Sequence, residues 1–239
     1  MKTLKLRVDR YHCLCGLNPA SETVTYVLYP MEILDGWIAA ASARYGTSIV
    51  VITGIDWGND LTPWPAKGVP KGSADFGGRA GDFLNELCGR IMPECEKSMG
   101  CATVTHRNLV GVSLSGLFTL WQWLRCNVFD SIACLSGSFW YEGFTDYVTS
   151  KPVPRKAGRA FLLLGEKEKN SAIKAFSTIA ENTQTIVATL TAGGIATRFV
   201  TVPGGHYSDS VPRLDMAFKA LCGEWKQVSV GPTATESLV

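Results

Sequence analysis

Six short, mostly apolar runs recur along the chain: Thr23–Tyr29 (TVTYVLY), Thr47–Thr53 (TSIVVIT), Arg107–Val112 (RNLVGV), Ser131–Leu135 (SIACL), Arg159–Leu164 (RAFLLL) and Thr197–Val202 (TRFVTV). Runs of this length and composition read as strands buried within a sheet. Between them lie stretches of helical character: Asp35–Tyr45, closed by Gly46, then Gly77–Glu96, Ser115–Leu124, Ser171–Ala192 and Pro212–Glu224. Pro93 must kink or end the second of these unless it opens a new segment. Residues 54–76, rich in Pro and carrying Trp57 and Trp64, read as a long loop. Repeated strand–helix units commit the chain to an α/β fold, a mainly parallel central sheet with helices on both faces. In open sheets of this kind chemistry gathers at the carboxyl ends of the strands. The positions of interest therefore follow Tyr29, Thr53, Val112, Leu135, Leu164 and Val202.

At 239 residues, residues 1–226 are expected to form one domain, with the polar stretch 227–239 as a flexible tail. The chain is 46% hydrophobic and 18% charged, which excludes a disordered polymer. Its 23 Lys+Arg balance 21 Asp+Glu with no basic run, so neither nucleic acid nor an anionic membrane is expected as partner. A small molecule is, and a homodimer is compatible with the composition. The start, Met1–Arg7, is basic but no apolar core follows it, and no run reaches the roughly 18 apolar residues of a membrane span. Eight cysteines include no CxxC pair, and only Cys13 stands beside a histidine, His12, with nothing to complete a metal site. No metal or organic cofactor is expected; reduced thiols and a cytoplasmic location are.

After the strand RNLVGV comes Gly111-Val112-Ser113-Leu114-Ser115-Gly116. A hydroxyl on a sharp strand-to-helix turn needs small residues two before and two after it, because the turning backbone brings those positions together. Gly111 and Ser115 meet that demand, with Ser a small departure from the usual final Gly. The turn also aims the Leu114 amide, at a helix start, toward the oxygen of a bound carbonyl. Ser113 as nucleophile needs a base, and the chain has three histidines. His12 precedes the first sheet strand and His106 lies at the far end of the nucleophile strand. His206, in Pro203-Gly204-Gly205-His206-Tyr207, directly follows the last strand on the catalytic edge. In the chain order Ser, acid, His, the acid follows RAFLLL, in Gly165-Glu166-Lys167-Glu168-Lys169. Glu168, beyond the turn, is favoured over Glu166, which is expected to point along the strand or to pair with a neighbouring Lys. Trp57, Trp64 and Trp140 lie on loops at the same edge and are expected to wall an acyl or aromatic pocket. Asp56 and Asp60 are expected to hold their loop through local hydrogen bonds.

These residues together resemble the α/β-hydrolase esterase family that holds esterase D, the feruloyl esterases and the enterobactin esterases. The resemblance covers roughly residues 23–225. It rests on Asp56-Trp57-Gly58-Asn59-Asp60-Leu61-Thr62-Pro63-Trp64-Pro65, on Phe76-Gly77-Gly78, on the Ser113 turn with Leu135-Ser136-Gly137-Ser138-Phe139-Trp140, and on Pro203-Gly204-Gly205-His206. It implies an acid three residues past the Gly that ends its strand, in agreement with Glu168, and a second oxyanion amide from the loop after TVTYVLY, at Met31. The activity expected is hydrolysis of a small-molecule ester through an acyl-enzyme on Ser113. The rivals are a thioesterase or acyltransferase with the same triad, and a non-catalytic binding protein that keeps the fold.

Overall fold

The sheet begins with two strands that the apolar runs do not announce. β1 (Thr3–Val8) and β2 (Tyr11–Gly16) form an antiparallel hairpin, with Asp9 in the left-handed region at φ 53° in the turn. The sequence places the first sheet strand at Thr23, and this is its main error. TLKLRV and YHCLC alternate with period two, burying Tyr11, Cys13 and Cys15 while His12 faces out, so they lack the continuous apolar character of central strands.

The computed structural model describes residues 3–30, 33, 35–101, 103–150, 152–154, 157–208 and 210–223. The stretch 227–239, expected to be flexible, and Met31 lie outside the described residues. The six apolar runs become β3 (Thr23–Leu28), β4 (Ser48–Thr53), β5 (His106–Val112), β6 (Ser131–Leu135), β7 (Arg159–Gly165) and β8 (Ala196–Val202). The strand order is β1-β2-β4-β3-β5-β6-β7-β8, and every pair from β4 to β8 is parallel. The order reverses between β4 and β3, and the carboxyl ends of β3, β5, β6, β7 and β8 share one edge.

The helices are α1 (Asp35–Tyr45), α2 (Ala80–Glu86), α3 (Met92–Met99), α4 (Leu114–Trp123), α5 (Phe144–Thr149), α6 (Ile179–Ala192) and α7 (Ser210–Cys222). α1 and α7 cover one face and α2 to α6 the other, so each central strand is buried on both sides. On β3, Val24, Tyr26 and Leu28 face the larger layer, while Val27 packs with Ile38 of α1 and Phe218 of α7. Pro93 opens a segment: a π turn over Leu87–Ile91, with the Met92 N–H on the Leu87 carbonyl, joins α2 to α3 and absorbs the donor that proline lacks. The helix expected over Ser171–Ala192 is broken. Ser171 is extended, its hydroxyl accepts the Ile173 N–H at 3.2 Å, and a helical turn at Lys174–Ser177 precedes α6. The long loop gains a helical turn at Trp57–Asp60 and a two-residue ladder between Pro65–Ala66 and Phe76–Gly77. Among the described residues no helix is long and apolar enough to cross a membrane.

Candidate active site

Ser113 sits between β5 and α4 at φ 58°, ψ −123°, a conformation that costs a non-glycine residue energy and persists only where its surroundings enforce it. They do. The Ser113 N–H donates to the Leu135 carbonyl at 3.0 Å, and its carbonyl accepts from Leu117 of α4 and from Ser138. A Cβ on Gly111 would stand 2.2 Å from the Ser115 carbonyl oxygen, so the turn closes only over glycine there. Ser115 contributes more than small size. It is fully buried, its hydroxyl accepts the Val112 N–H at 2.7 Å, and its hydrogen lies within reach of the Leu28 and Val112 carbonyls. The hydroxyl thereby ties the turn to the end of β3, which a glycine could not do. Leu114, as the first residue of α4, has an N–H that the helix leaves unpaired.

His206 Nε2 lies 3.0 Å from Ser113 Oγ and Nδ1 lies 2.8 Å from Glu168 Oε2. The register explains the meeting: Val202 pairs with Gly165 at the ends of β8 and β7, so the loops carrying His206 and Glu168 leave the sheet side by side. Gly204, at φ 96°, lets the chain turn there, and a Cβ on it would meet Ser208 at 2.6 Å. Glu168 opens a 3-10 turn and is buried, whereas Glu166 is exposed and its N–H is fixed on the Val202 carbonyl. The other two histidines are elsewhere. His106 begins β5, at the opposite end of the sheet. His12 is on β2, opposite Thr53 at the carboxyl end of β4, and is separated from Ser113 by three strand steps, about 14 Å at ordinary spacing.

The sequence reading misses the support behind the acid. Glu168 Oε1 accepts the Ser136 hydroxyl at 2.6 Å and the Gly165 N–H at 2.8 Å, leaving Oε2 for the imidazole. Burial pushes the Glu168 carboxyl up, but the hydrogen bonds from His206, Ser136 and Gly165 outweigh it and hold the pKa below the usual carboxylate value. Arg213 of α7 is buried behind this group; it donates to Ser136 Oγ at 3.1 Å and to the Gly205 carbonyl at 2.8 Å, with its nearest nitrogen 3.6 Å from Glu168 Oε1. In the sequence, Arg213 falls in the apolar stripe of α7 with Leu214, Ala217 and Phe218, and a charge in such a stripe is the signal that could have marked it.

Around the edge, the Asp60 carboxylate accepts the Asp56 N–H at 2.9 Å, the expected local bond to backbone, and pairs with Arg10 at 2.8 Å; the Asp56 carboxylate instead accepts the Asn59 side-chain amide at 2.8 Å. Trp64 donates its indole N–H to the Glu142 carbonyl and packs against Tyr141, Phe144 and Tyr147. Trp140 lies between Phe76 and Phe176, and Trp57 is half-buried against the same core. A Cβ on Gly78 would collide with the Trp64–Pro65 peptide at 2.3 Å, which explains the second glycine of Phe76-Gly77-Gly78. Among the described residues no group of three His, Cys, Asp or Glu is arranged to hold a metal ion.

An IroE-like serine hydrolase from Shewanella oneidensis superposes with a TM-score of 0.74 over 92% of this chain and 79% of that one, at 19% identity. The siderophore hydrolase EstB from Aspergillus nidulans does so with a TM-score of 0.69 over 94% and 96%, at 16% identity. The chain has the α/β-hydrolase fold. No family model matches it. In sequence it is 29% identical over 124 residues to the uncharacterized protein YbbA of Bacillus subtilis (strain 168), a match that spans 50% of this chain and 50% of that relative. Within the hydrolase fold, the Ser113 turn stands between β5 and α4, the Glu168 loop follows β7, and the His206 loop follows β8.

Proposed function

We propose that the protein is a serine carboxylesterase that hydrolyses a small-molecule ester. The observation that carries this reading is the unbroken line from Ser113 Oγ through His206 to Glu168, at 3.0 and 2.8 Å, with Ser113 on a strained turn at a helix start. His206 removes the Ser113 proton as Oγ attacks the ester carbonyl, and Glu168 holds the Nδ1–H tautomer and offsets the imidazolium charge. The Leu114 amide, with a second amide that the family resemblance assigns to Met31, binds the oxyanion. His206 then protonates the departing alcohol, and a water, deprotonated by the same imidazole, releases the acyl group. Trp57, Trp64 and Trp140 wall the acyl site in this reading, and Trp140 brings Phe76 and Phe176 with it as ring partners. EstB acts on a siderophore, so siderophore esters and aryl esters are the natural compounds to test first.

The test is turnover of a short p-nitrophenyl ester before and after a fluorophosphonate. Loss of turnover with the adduct mapped to Ser113, and none on Ser113→Ala, is the expected outcome. Hydrolysis that survives complete labelling, or labelling at another serine, would overturn the reading. Ser113→Ala should lower kcat by a factor on the order of 10³ to 10⁶.

A further inference from the structure

The two serines of Ser136-Gly137-Ser138 flank the hydrogen-bonded line at its two ends. Ser136 meets Glu168, and the Ser138 hydroxyl lies 3.3 Å from Ser113 Oγ. Ser138 is fully buried, and among the described residues Ser113 Oγ is the hydrogen-bond partner of its hydroxyl. Its main-chain N–H is engaged separately, on the Ser113 carbonyl at 2.9 Å. The side chain therefore touches the reacting oxygen while the backbone holds the loop.

The direction of every bond in the line is fixed by chemistry. A carboxylate only accepts, so His206 Nδ1 carries the hydrogen toward Glu168 and a neutral imidazole must accept at Nε2. Ser113 spends its one hydrogen on Nε2. At the contact between the two hydroxyls Ser138 is then the donor and Ser113 Oγ the acceptor. A donor aimed at this oxygen gains strength when the oxygen carries negative charge, and little while it is an ester oxygen.

We propose that Ser138 is a catalytic residue that stabilises the charge developing on Ser113 Oγ, both as Oγ attacks in acylation and as it leaves in deacylation. The proposal rests on Ser113 being the nucleophile. In deacylation His206 takes a proton from water, the hydroxide oxygen bonds to the acyl carbon, and the carbon–Oγ bond breaks. Its electron pair stays on Oγ, where Ser138 donates to it until His206 delivers the proton. The products are a carboxylic acid and free Ser113, and the alternative fate of the charge, an unsupported alkoxide in a half-buried site, is what the Ser138 hydroxyl prevents.

Ser138→Ala keeps the main-chain bond and removes the hydroxyl alone. Stopped-flow release of p-nitrophenol resolves acylation from the burst and deacylation from the steady phase that follows. Both steps should slow about 10- to 100-fold, the range for one hydrogen bond to a charged oxygen, because Oγ carries the charge as it attacks and as it leaves. Substrate binding, read from the concentration dependence of the burst, should be unchanged. Rates within about threefold of wild type would mean a bystander, and a crystal structure of Ser138→Ala in which Ser113 Oγ has left His206 Nε2 would mean a displaced nucleophile; either result overturns the proposal. Fluorophosphonate labelling in parallel separates the two failures: if wild type is not labelled at Ser113, the nucleophile assignment has failed and not the role of Ser138.

Discussion

Two carboxylates, Glu96 half-buried and Glu168 buried, stand at opposite ends of the sheet and are held in opposite ways. Glu96 of α3 accepts Arg107 through both of its oxygens, at 2.7 and 2.8 Å, and the Tyr26 hydroxyl at 2.6 Å. Glu168 also has an arginine nearby, and a buried one, but Arg213 is kept at 3.6 Å and reaches the carboxylate through the Ser136 hydroxyl. In both, burial raises the pKa and hydrogen bonds outweigh it, so both carboxyls rest below their usual value. The difference is what remains available. Glu96 spends both oxygens on a bidentate cation and can only hold α3 to β3 and β5. Glu168 receives neutral donors on Oε1 and keeps Oε2 for an imidazole whose charge changes during a reaction. A direct ion pair with Arg213 would compete with His206 for the same charge. Placing a hydroxyl between them preserves the anion without satisfying it.

The contrast breaks if Glu168 turns out to be another strut. With Glu168→Gln, an amide supports the wrong imidazole tautomer, so kcat should fall by about 10⁴ with KM little changed. Retention of more than a tenth of kcat would make it structural. The reverse holds for Glu96→Gln, which loses the fork to Arg107 and should cost about 2 kcal/mol, or about 4–8 °C in Tm, with kcat within twofold of wild type. Acid sharpens the contrast further. Because the folded Glu96 carboxyl is held below its unfolded value of about 4.3, its stabilisation is complete above that pH and is lost as pH falls through the lower folded value. The stability gap between wild type and Glu96→Gln, measured by denaturant unfolding, should stay constant down to about pH 5 and close below pH 4. A gap that widens in acid would reverse the sign of the Glu96 contribution.

What the sequence disclosed follows the same division. The central strands announce themselves because burial on both faces leaves no polar alternation to interpret, and the turn at Ser113 shows because its geometry demands Gly111. His206 emerges by counting, since few histidines follow a strand. β1 and β2 stay hidden because an edge hairpin, buried on one face, looks like any alternating polar segment. The roles of Ser136, Ser138 and Arg213 stay hidden for a different reason: they depend on distances between segments that follow different strands. Ser115 is the intermediate case. Its smallness is legible, but its hydrogen bonds to Val112 and to the end of β3 are not, so Ser115→Gly is expected to fold less stably rather than to restore a commoner turn.

The smallest effect is reserved for Glu166, two residues from the acid and chemically identical to it. Its main-chain N–H is on the Val202 carbonyl at 2.9 Å, and the His206 nitrogen that faces away from Ser113 is taken by Glu168. The side chain is exposed, and among the described residues no ion pair joins it to Lys167 or Lys169, the pairing that the sequence suggested. An exposed carboxylate contributes at most about 1 kcal/mol, so Glu166→Gln should change kcat by less than about fivefold and leave Tm within about 2 °C. Measured beside Glu168→Gln on the same ester, the pair separates position from charge: both remove one negative charge from the same loop, and only one faces the imidazole. Comparable losses from the two would mean that the loop acts through its overall field, and the assignment of Oε2 as the imidazole partner would fall.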